Sequence, residues 1–528
     1  MSRSAESSVQ SATVGGVYAC YVLAVLFLVY VLNFVDRQIL SILVQDIKTA
    51  LKVGDAEMGF LYGTAFAVFY ALFGIPLGRL ADSWHRGRQI ALGLALWSAM
   101  TTLSGLASSF SQLAAARIGV GIGEASASPA AYSLLADYFS RERRATVLAI
   151  YSAGLYVGGG LSLPIGGAIS RTWTAHYQGS VAPFGLAGWQ AAFIAVGIPG
   201  LLLALWVLTL REPPRGLADG TSTGGRRQDA WREFTAEVMA ILPPFTLLTA
   251  ARIPGGLRRN VLLLGVVAIG VAIIGRLSGD WLQWTTVGVG TYATGSWIQQ
   301  LRHRDRPTYT LLWGTPATLL ALLSCGFMAF VIYALAYWAP PFAMRTFHIA
   351  ADVAGLMIGV PCAFAMAAGC ILGGRLSDAW KKRDPRGRVF VSMLTMVLPP
   401  PLAYLQLSTN DVHVFYVLAP VTVTLASLWV GSSAAMIQDC VLPRMRGTAG
   451  ATFLLANSML GLALSPYLVG RVSVATGSLR TGLLSLFIVV PFALYVMWQL
   501  SLRLPTAEAS RETRALGAGE SPASGMAS

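Results

Sequence analysis

Four ionisable residues fall inside apolar runs of the chain: Asp36, Arg37, Arg117 and Glu124. An ionisable group held in hydrocarbon costs roughly 2.5–3.5 kcal/mol on insertion scales, so such groups mark ion pathways, proton relays or locked ion pairs. Their charges sum to zero. Arg117 and Glu124 are separated by two helical turns and so share a face. Tyr30, Asn33, Arg37 and Ser41 recur at helical spacing and form a polar stripe. Burial raises a carboxyl pKa and a nearby Arg lowers it. A carboxyl that gains and loses an Arg partner as the protein moves therefore binds and releases a proton. The competing reading is a static buried pair that locks the helix of Asp36 to the helix of Glu124.

The elements that carry these residues define the protein class. Of 528 residues, 55% are hydrophobic and 12% charged, about half the charge of a soluble chain. Mean hydropathy is +0.61. A transmembrane helix needs ~20 mostly apolar residues. Apolar stretches predict helices over 17–45, 56–81, 88–108, 111–138, 144–170, 188–210, 309–344, 352–379, 388–407, 412–440, 446–471 and 480–503. Two more runs, 260–276 and 281–299, lie between the sixth and the seventh of these. Trp281, Trp284 and Trp297 bracket the second, as at membrane interfaces. The expected fold is an all-α membrane protein with 14 spans, two six-helix bundles plus an inserted helical hairpin. A soluble enzyme, a disordered protein and a secreted disulfide scaffold are excluded. An outer-membrane barrel does not fit, because its strands alternate.

The expected segments are a cytoplasmic N-terminal tail (1–16), a first bundle (17–210), a cytoplasmic linker carrying the hairpin (211–308), a second bundle (309–503) and a disordered cytoplasmic tail (504–528). The first apolar run is too long for a cleavable signal and is read as a retained helix. Pro243 and Pro244 interrupt an amphipathic stretch suited to the membrane surface.

Net charge is +14, and its placement speaks for topology rather than nucleic acid. With the N-terminus in the cytoplasm, 27 of the 38 Lys and Arg fall on the cytoplasmic side and 7 on the other. If only one run of the hairpin crossed, the segment from Lys381 to Arg388 would fall outside. Both runs cross or neither does; surface or re-entrant helices are the alternative to crossing. Only four of the 38 are Lys, which suggests a GC-rich bacterial genome and hence a bacterial inner membrane. The five cysteines, Cys20, Cys325, Cys362, Cys370 and Cys440, have no metal-ligand spacing and need no disulfide. No metal and no cofactor is expected. The chain has no Gly-x-x-x-x-Gly-Lys-Ser/Thr loop, so self-contained ATP driving is not expected either.

The chain repeats itself. Gly78-Arg79-Leu80-Ala81-Asp82-Ser83-Trp84 precedes Arg86-Gly87-Arg88, and Gly374-Arg375-Leu376-Ser377-Asp378-Ala379-Trp380 precedes Arg386-Gly387-Arg388. Each cassette follows the second helix of its half, so a six-helix unit is duplicated, as in secondary transporters. Gly permits close helix approach. Asp at a helix end can meet the N-terminus of a neighbouring helix or an Arg from it.

These cassettes resemble the loop motif of the major facilitator superfamily. The resemblance implies a conformational gate formed by Gly78, Asp82, Arg86 and Arg88, with Gly374, Asp378, Arg386 and Arg388 as its counterpart. Asp439 and Arg446 resemble the second-half gate, although both could simply cap helices. Gly158-Gly159-Gly160 and Pro164-Ile165-Gly166-Gly167 resemble the bendable fifth helix of that superfamily. More specific strings resemble Spinster-like transporters: Asn33-Phe34-Val35-Asp36-Arg37, the run from Arg117 to Ser126 with Glu124 inside it, Trp189-Gln190-Ala191-Ala192-Phe193, and Arg211-Glu212-Pro213-Pro214-Arg215-Gly216. The likeness covers about 17–216 well and 309–503 moderately, and leaves out the hairpin. It implies proton-coupled export in which Asp36, Arg37 and Glu124 take part, and an amphipathic substrate such as a lysophospholipid. The expected partners are that substrate, protons and the bilayer, with no nucleic acid and a monomeric state.

Candidate cavity residues are Asn33, Tyr62, Phe66, Tyr70, Tyr132, Tyr156, Tyr333, Tyr337, Trp338 and Asn457. Aromatic residues at helical spacing also serve ordinary packing. Asn457 is the sharper candidate, because an amide in a membrane helix needs a partner. A transporter of a small organic anion, sugar or drug fits the same fold. A receptor or scaffold without transport is the reading from another class.

Overall fold

The structure is a computed structural model and describes residues 15–178, 181–215 and 230–520. Every stretch expected to be helical is helical over most of its length. The N-terminal half contains α1 (Val17–Ile42), α2 (Asp55–Ser83), α3 (Arg86–Ser104), α4 (Phe110–Glu124), α5 (Ala127–Tyr138), α6 (Arg141–His176) and α7 (Gly188–Leu208). Two short helices, α8 (Ala230–Ile241) and α9 (Phe245–Ala251), then lead into α10 (Gly256–Ser278) and α11 (Trp281–Arg304). The C-terminal half contains α12 (Pro316–Phe347), α13 (Ala351–Lys381), α14 (Gly387–Ser408), α15 (Val412–Asp439), α16 (Pro443–Thr476) and α17 (Leu479–Ala509), followed by α18 (Arg511–Gly517). Among the described residues there is no β-strand.

Among the described residues, eleven helices are long and apolar enough to cross a membrane, or twelve if the bent pair α8–α9 counts as one. Three expected spans fall outside that set for separate reasons. The α3 helix carries Arg86 and Arg88 in its first turn. The α4–α5 segment breaks at Ala125–Ser126 into two short pieces. The α11 helix is rich in Gln, Thr and Gly. The first helix of the C-terminal half starts later than its apolar run, because Pro316 opens a new helix after the separate turn Arg306–Leu312.

Close helix contacts set the positions of the buried charges. A Cβ on Gly123 would lie 2.8 Å from the Trp97 backbone nitrogen, so α4 lies against α3 without a side chain between them. A Cβ on Gly121 would lie 2.5 Å from the Phe66 carbonyl oxygen, which fits α4 equally closely to α2. Glu124 is the last residue of α4, at the break before α5.

The halves meet firmly at one end. There Ser41 donates to the Tyr337 carbonyl (2.6 Å), Tyr337 donates to the Met58 carbonyl (3.2 Å), and Arg345 grips Asp55 with two hydrogen bonds of 2.6 and 2.7 Å. Near the opposite end, the Cβ positions of Gly74, Gly78, Gly374, Gly447 and Gly450 have nothing within 4 Å.

Of the inserted helices, α11 lies along α2 and touches α16, and α10 packs on α11 through Val271 and Leu263. Gln283 meets Thr64, Gly290 lies against Val68 and Met459, and Arg304 pairs with Glu237, which also faces Arg79 at 3.8 Å. At the hairpin turn, Arg471 donates to the Ser278 carbonyl (2.5 Å), and Tyr467 donates to Asp280.

The C-terminal segment differs from expectation. Residues 504–520, expected to be disordered, are largely helical and tied to the body. Lys381 pairs with Glu508 at 3.0 Å, Arg514 donates to Ala507 and Thr315, and Arg444 pairs with Glu520. Composition shows few apolar residues there but not the partners waiting for its charges. Residues 1–14, most of the linker 212–230 and residues 521–528 lie outside the described residues.

Candidate functional site

All four membrane charges are buried: Asp36, Arg37, Arg117 and Glu124 are each at most 7% exposed. They come together between α1 and α4, and one ion pair joins the two helices. Arg37 donates to Glu124 from Nη2 at 2.6 Å and from Nε at 3.2 Å. Arg117 reaches the backbone carbonyl of Asp36 at 3.4 Å, not its carboxylate. Its Nε and Nη2, and Asp36 Oδ1, have no hydrogen-bond partner among the described residues. Asp36 and Arg37, adjacent in sequence, therefore point apart, since successive helical residues are rotated by about 100°. Asp36 faces Trp97 and Thr101 on α3, and Asn33 faces Glu124.

Aromatic rings wall in the pair. The Arg37 guanidinium lies 4.4 Å from the Phe66 ring centre, 4.7 Å from Phe34 and 5.0 Å from Tyr70. Arg117 approaches Phe66 at 5.5 Å. Phe66 therefore faces both guanidiniums, a desolvated cation–π arrangement. Phe66 and Tyr70 were expected to line a substrate cavity; the structure gives them contacts to Arg37.

The other cavity candidates divide by position. Tyr62 stacks on Tyr337 at 4.0 Å and donates to Gln38 at 2.5 Å; both rings belong to the closed end of the seam between halves. Trp338 donates to the Pro466 carbonyl at 2.9 Å. Tyr156 hydrogen-bonds Cys370 across the seam between α6 and α13. Tyr132 is 38% exposed with its hydroxyl 3.2 Å from Ser152, and Tyr333 is half-buried. Asn457 opens a π-helical turn, Asn457–Leu462, and its Oδ1 has no partner among the described residues. Such turns inside α-helices are frequent at functional sites. Sequence reading missed this turn, and it missed Gln38 and Tyr151, which stacks on Tyr30 at 4.5 Å.

The repeated cassettes form different networks. Arg86 is fully buried and bonds Glu212 at 2.7 Å, the Ser133 carbonyl at 3.0 Å, the Pro213 carbonyl at 3.2 Å, and Asp137. Asp82 and Arg88 are exposed. In the second half, Arg388 pairs with Asp439 and, at 3.2 Å, with Asp378, and Lys381 pairs with Asp439 at 2.5 Å. Asp137 and Asp439 lie at equivalent helix ends, yet their Arg partners occupy different positions of the repeated Arg-Gly-Arg string. Arg386 and Arg446 are exposed. The Arg that engages at the start of α16 is instead Arg444, held by Asp305 and Glu520. Burial raises the Asp305 pKa, but hydrogen bonds from Arg444 and Thr308 outweigh it and hold the carboxyl below the ordinary range. Hydrogen bonding from Arg444 lowers Glu520 likewise.

Among the described residues, no group of three His, Cys, Asp or Glu side chains could hold a metal ion. The site is thus a buried set of protonatable and fixed charges beside a seam that is closed at one end.

Comparison with known proteins gives a consistent picture. The family described as Major Facilitator Superfamily matches residues 26–466. An MFS-type efflux pump of Mycolicibacterium smegmatis is 26% identical over 449 residues, covering 85% of this chain and 83% of the pump. Human protein spinster homolog 1 is 25% identical over 471 residues, covering 86% of this chain and 72% of that protein. Among solved structures, a bacterial homologue of the human lysosomal transporter Spinster, inward-facing and unoccupied, superposes with a TM-score of 0.66. It is 26% identical, and the match covers 96% of this chain and all of that one. The same homologue, inward-facing and occupied, gives 0.64.

Proposed function

Because the chain belongs to the Major Facilitator Superfamily, as a Spinster-like transporter, we propose that it is a proton-coupled secondary transporter working by alternating access. Its cargo under this reading is a lysophospholipid or related amphipathic lipid. The carrying observation is the uneven pairing of two buried acids: Glu124 holds Arg37, while Asp36 holds neither guanidinium. Arg117 has donors free to turn toward the Asp36 carboxylate. A rocking motion that shifts α4 against α1 then changes which acid is paired, and the unpaired one takes up a proton. An inward-facing state is part of this reading. It is supported by the joining of the halves through Ser41, Asp55, Tyr337 and Arg345 at one end only of the seam, and by the similar bacterial structures, which were solved in inward-facing conformations.

The proposal includes 14 spans, with α10 and α11 crossing as a hairpin. The support is that α11 follows α2 from Thr64 to the helix end that carries Arg79. It also includes segment boundaries near 16, 210, 308 and 503, cytoplasmic termini, a bacterial inner membrane and a monomer. Asn457, Tyr132 and Tyr333 are the cavity residues this reading favours, and Arg86 and Arg388 are its gate residues. The likeness to an efflux pump favours one second reading, the export of another amphipathic compound by the same mechanism.

The test is transport in proteoliposomes under an imposed pH gradient, with labelled lysophospholipid set against a sugar panel. Gradient-driven lipid movement that is lost in Asp36→Asn is the expected result. Movement of a sugar alone would reject the lipid cargo, and gradient-independent movement would reject the coupling.

A further inference from the structure

A polar cleft lies at the closed end, and neither Arg37 nor Glu124 lines it. It offers about 530 Å³ and opens to the surface. The N-terminal half contributes Lys48 and Asp55, and the C-terminal half contributes Phe342, Arg345, Ser473 and Arg480. Three cations and one carboxylate thus line the cleft. That carboxylate is fully engaged: Asp55 accepts from Lys48 at 2.5 Å, from Arg345 at 2.6 and 2.7 Å, and from Ser473 at 2.8 Å. Glu57, at the edge of the cleft, accepts from the Gly54 amide at 3.0 Å, which leaves three cations against two carboxylates there. Arg480 is the cation left over. Among the described residues its one close partner is the Phe342 ring, 6.0 Å away.

A surplus of positive charge in a cleft draws anions. Guanidinium and ammonium groups together favour phosphate oxygens. The space exceeds that of a bare phosphate, and Phe342, Val474 and Leu479 give part of the wall an apolar character. We propose that this cleft binds a phosphate ester of net negative charge with an organic substituent, either the headgroup of an anionic phospholipid or a soluble phosphate ester. Because Lys48 and Arg480 come from opposite halves, the bound anion ties the halves together and favours the state closed at this end. The proposal does not depend on the cargo, since binding is read without a gradient.

The test uses the full chain in phosphate-free buffer. Thermal unfolding is followed against glycerol phosphate, inorganic phosphate and chloride at matched ionic strength, and in phosphatidylcholine nanodiscs with and without phosphatidylglycerol. A saturable rise in Tm is expected with a phosphate ester and not with chloride. A rise in the soluble arm identifies a solute ligand, and a rise confined to phosphatidylglycerol discs identifies a lipid headgroup. Arg480→Gln leaves the Asp55 network in place and should raise the half-saturating concentration at least tenfold, with Arg480→Lys intermediate. Spin labels at Thr49 and Ala475, both exposed, should report a larger short-distance population when the ligand is bound. Equal Tm shifts in phosphate and chloride, or an unchanged half-saturation in Arg480→Gln, would overturn the site. Binding with unchanged label distances would overturn the tie between halves.

Discussion

Arg37 gives its guanidinium to Glu124, 87 positions away, and not to Asp36, its neighbour in sequence. The two acids therefore have different duties. Glu124→Gln leaves two buried guanidiniums with no carboxylate bound to either, and breaking a buried pair costs about 3–5 kcal/mol. Asp36→Asn removes an acid that neither guanidinium holds. The expected result is a clear fall in Tm for Glu124→Gln and a small change for Asp36→Asn, with pH-dependent transport lost in both. An Asp36→Asn protein that keeps its pH response would show that Asp36 carries no proton.

Asp55 gathers four hydrogen bonds from both halves at the closed end. Hydrogen bonds to charged groups contribute about 1.5–3 kcal/mol each. Asp55→Asn should shift the population at least tenfold toward the state open at that end, visible as longer distances between the spin labels described above. An unchanged distance distribution would assign closure to the apolar contacts alone.

Gly59 and Gly78 lie on the same helix in opposite circumstances. A Cβ on Gly59 would come within 2.6 Å of the Tyr467 Cα, whereas Gly78 has open space around it. Gly59→Val should therefore disfavour this conformation by the same distance readout. Gly78→Leu should leave Tm within ~0.5 kcal/mol of equivalent stability yet slow transport, if its face closes in the opposite state. Full transport by Gly78→Leu would remove Gly78 from the gate.

Acid should release the C-terminal helix. Arg444 holds the Glu520 carboxyl, and with Thr308 the Asp305 carboxyl, below their ordinary values. A carboxyl depressed in the folded state stabilises it above the unfolded pKa, near 4. That stabilisation is lost as pH falls through the lower folded value. Limited proteolysis at Arg511 and Arg514 should be constant from pH 7 to about 5 and accelerate below about 4. Because Arg444 is 46% exposed, high salt should weaken the attachment as well. Cleavage that does not change with pH would place the attachment elsewhere.

The sequence made the helices, the duplicated cassette and the buried charges legible, because each is a property of one segment: an apolar run, a repeated string, a charge where none is cheap. The pairings were not legible. Whether Arg37 meets Asp36 or Glu124 depends on how α1 and α4 are rotated about their axes, and on Gly121 and Gly123 setting their separation. Arg86 found Asp137 and Glu212 rather than the cassette's own Asp82 for the same reason. The ordered C-terminal segment was missed because its stability comes from the partners of its charges on distant helices, and hydropathy does not register those.

Thr64 offers its hydroxyl to two acceptors at once, the Ala463 carbonyl on α16 at 2.5 Å and Gln283 on α11 at 2.6 Å. A hydroxyl has one proton to give. If α16 swings away from α2, the carbonyl leaves, and a lone hydroxyl in hydrocarbon would resist the motion. Gln283, which belongs to neither α2 nor α16, gives that hydroxyl a second partner. The inserted hairpin thus brings a polar side chain to the seam between α2 and α16, where the other partner of this hydroxyl belongs to the opposite half.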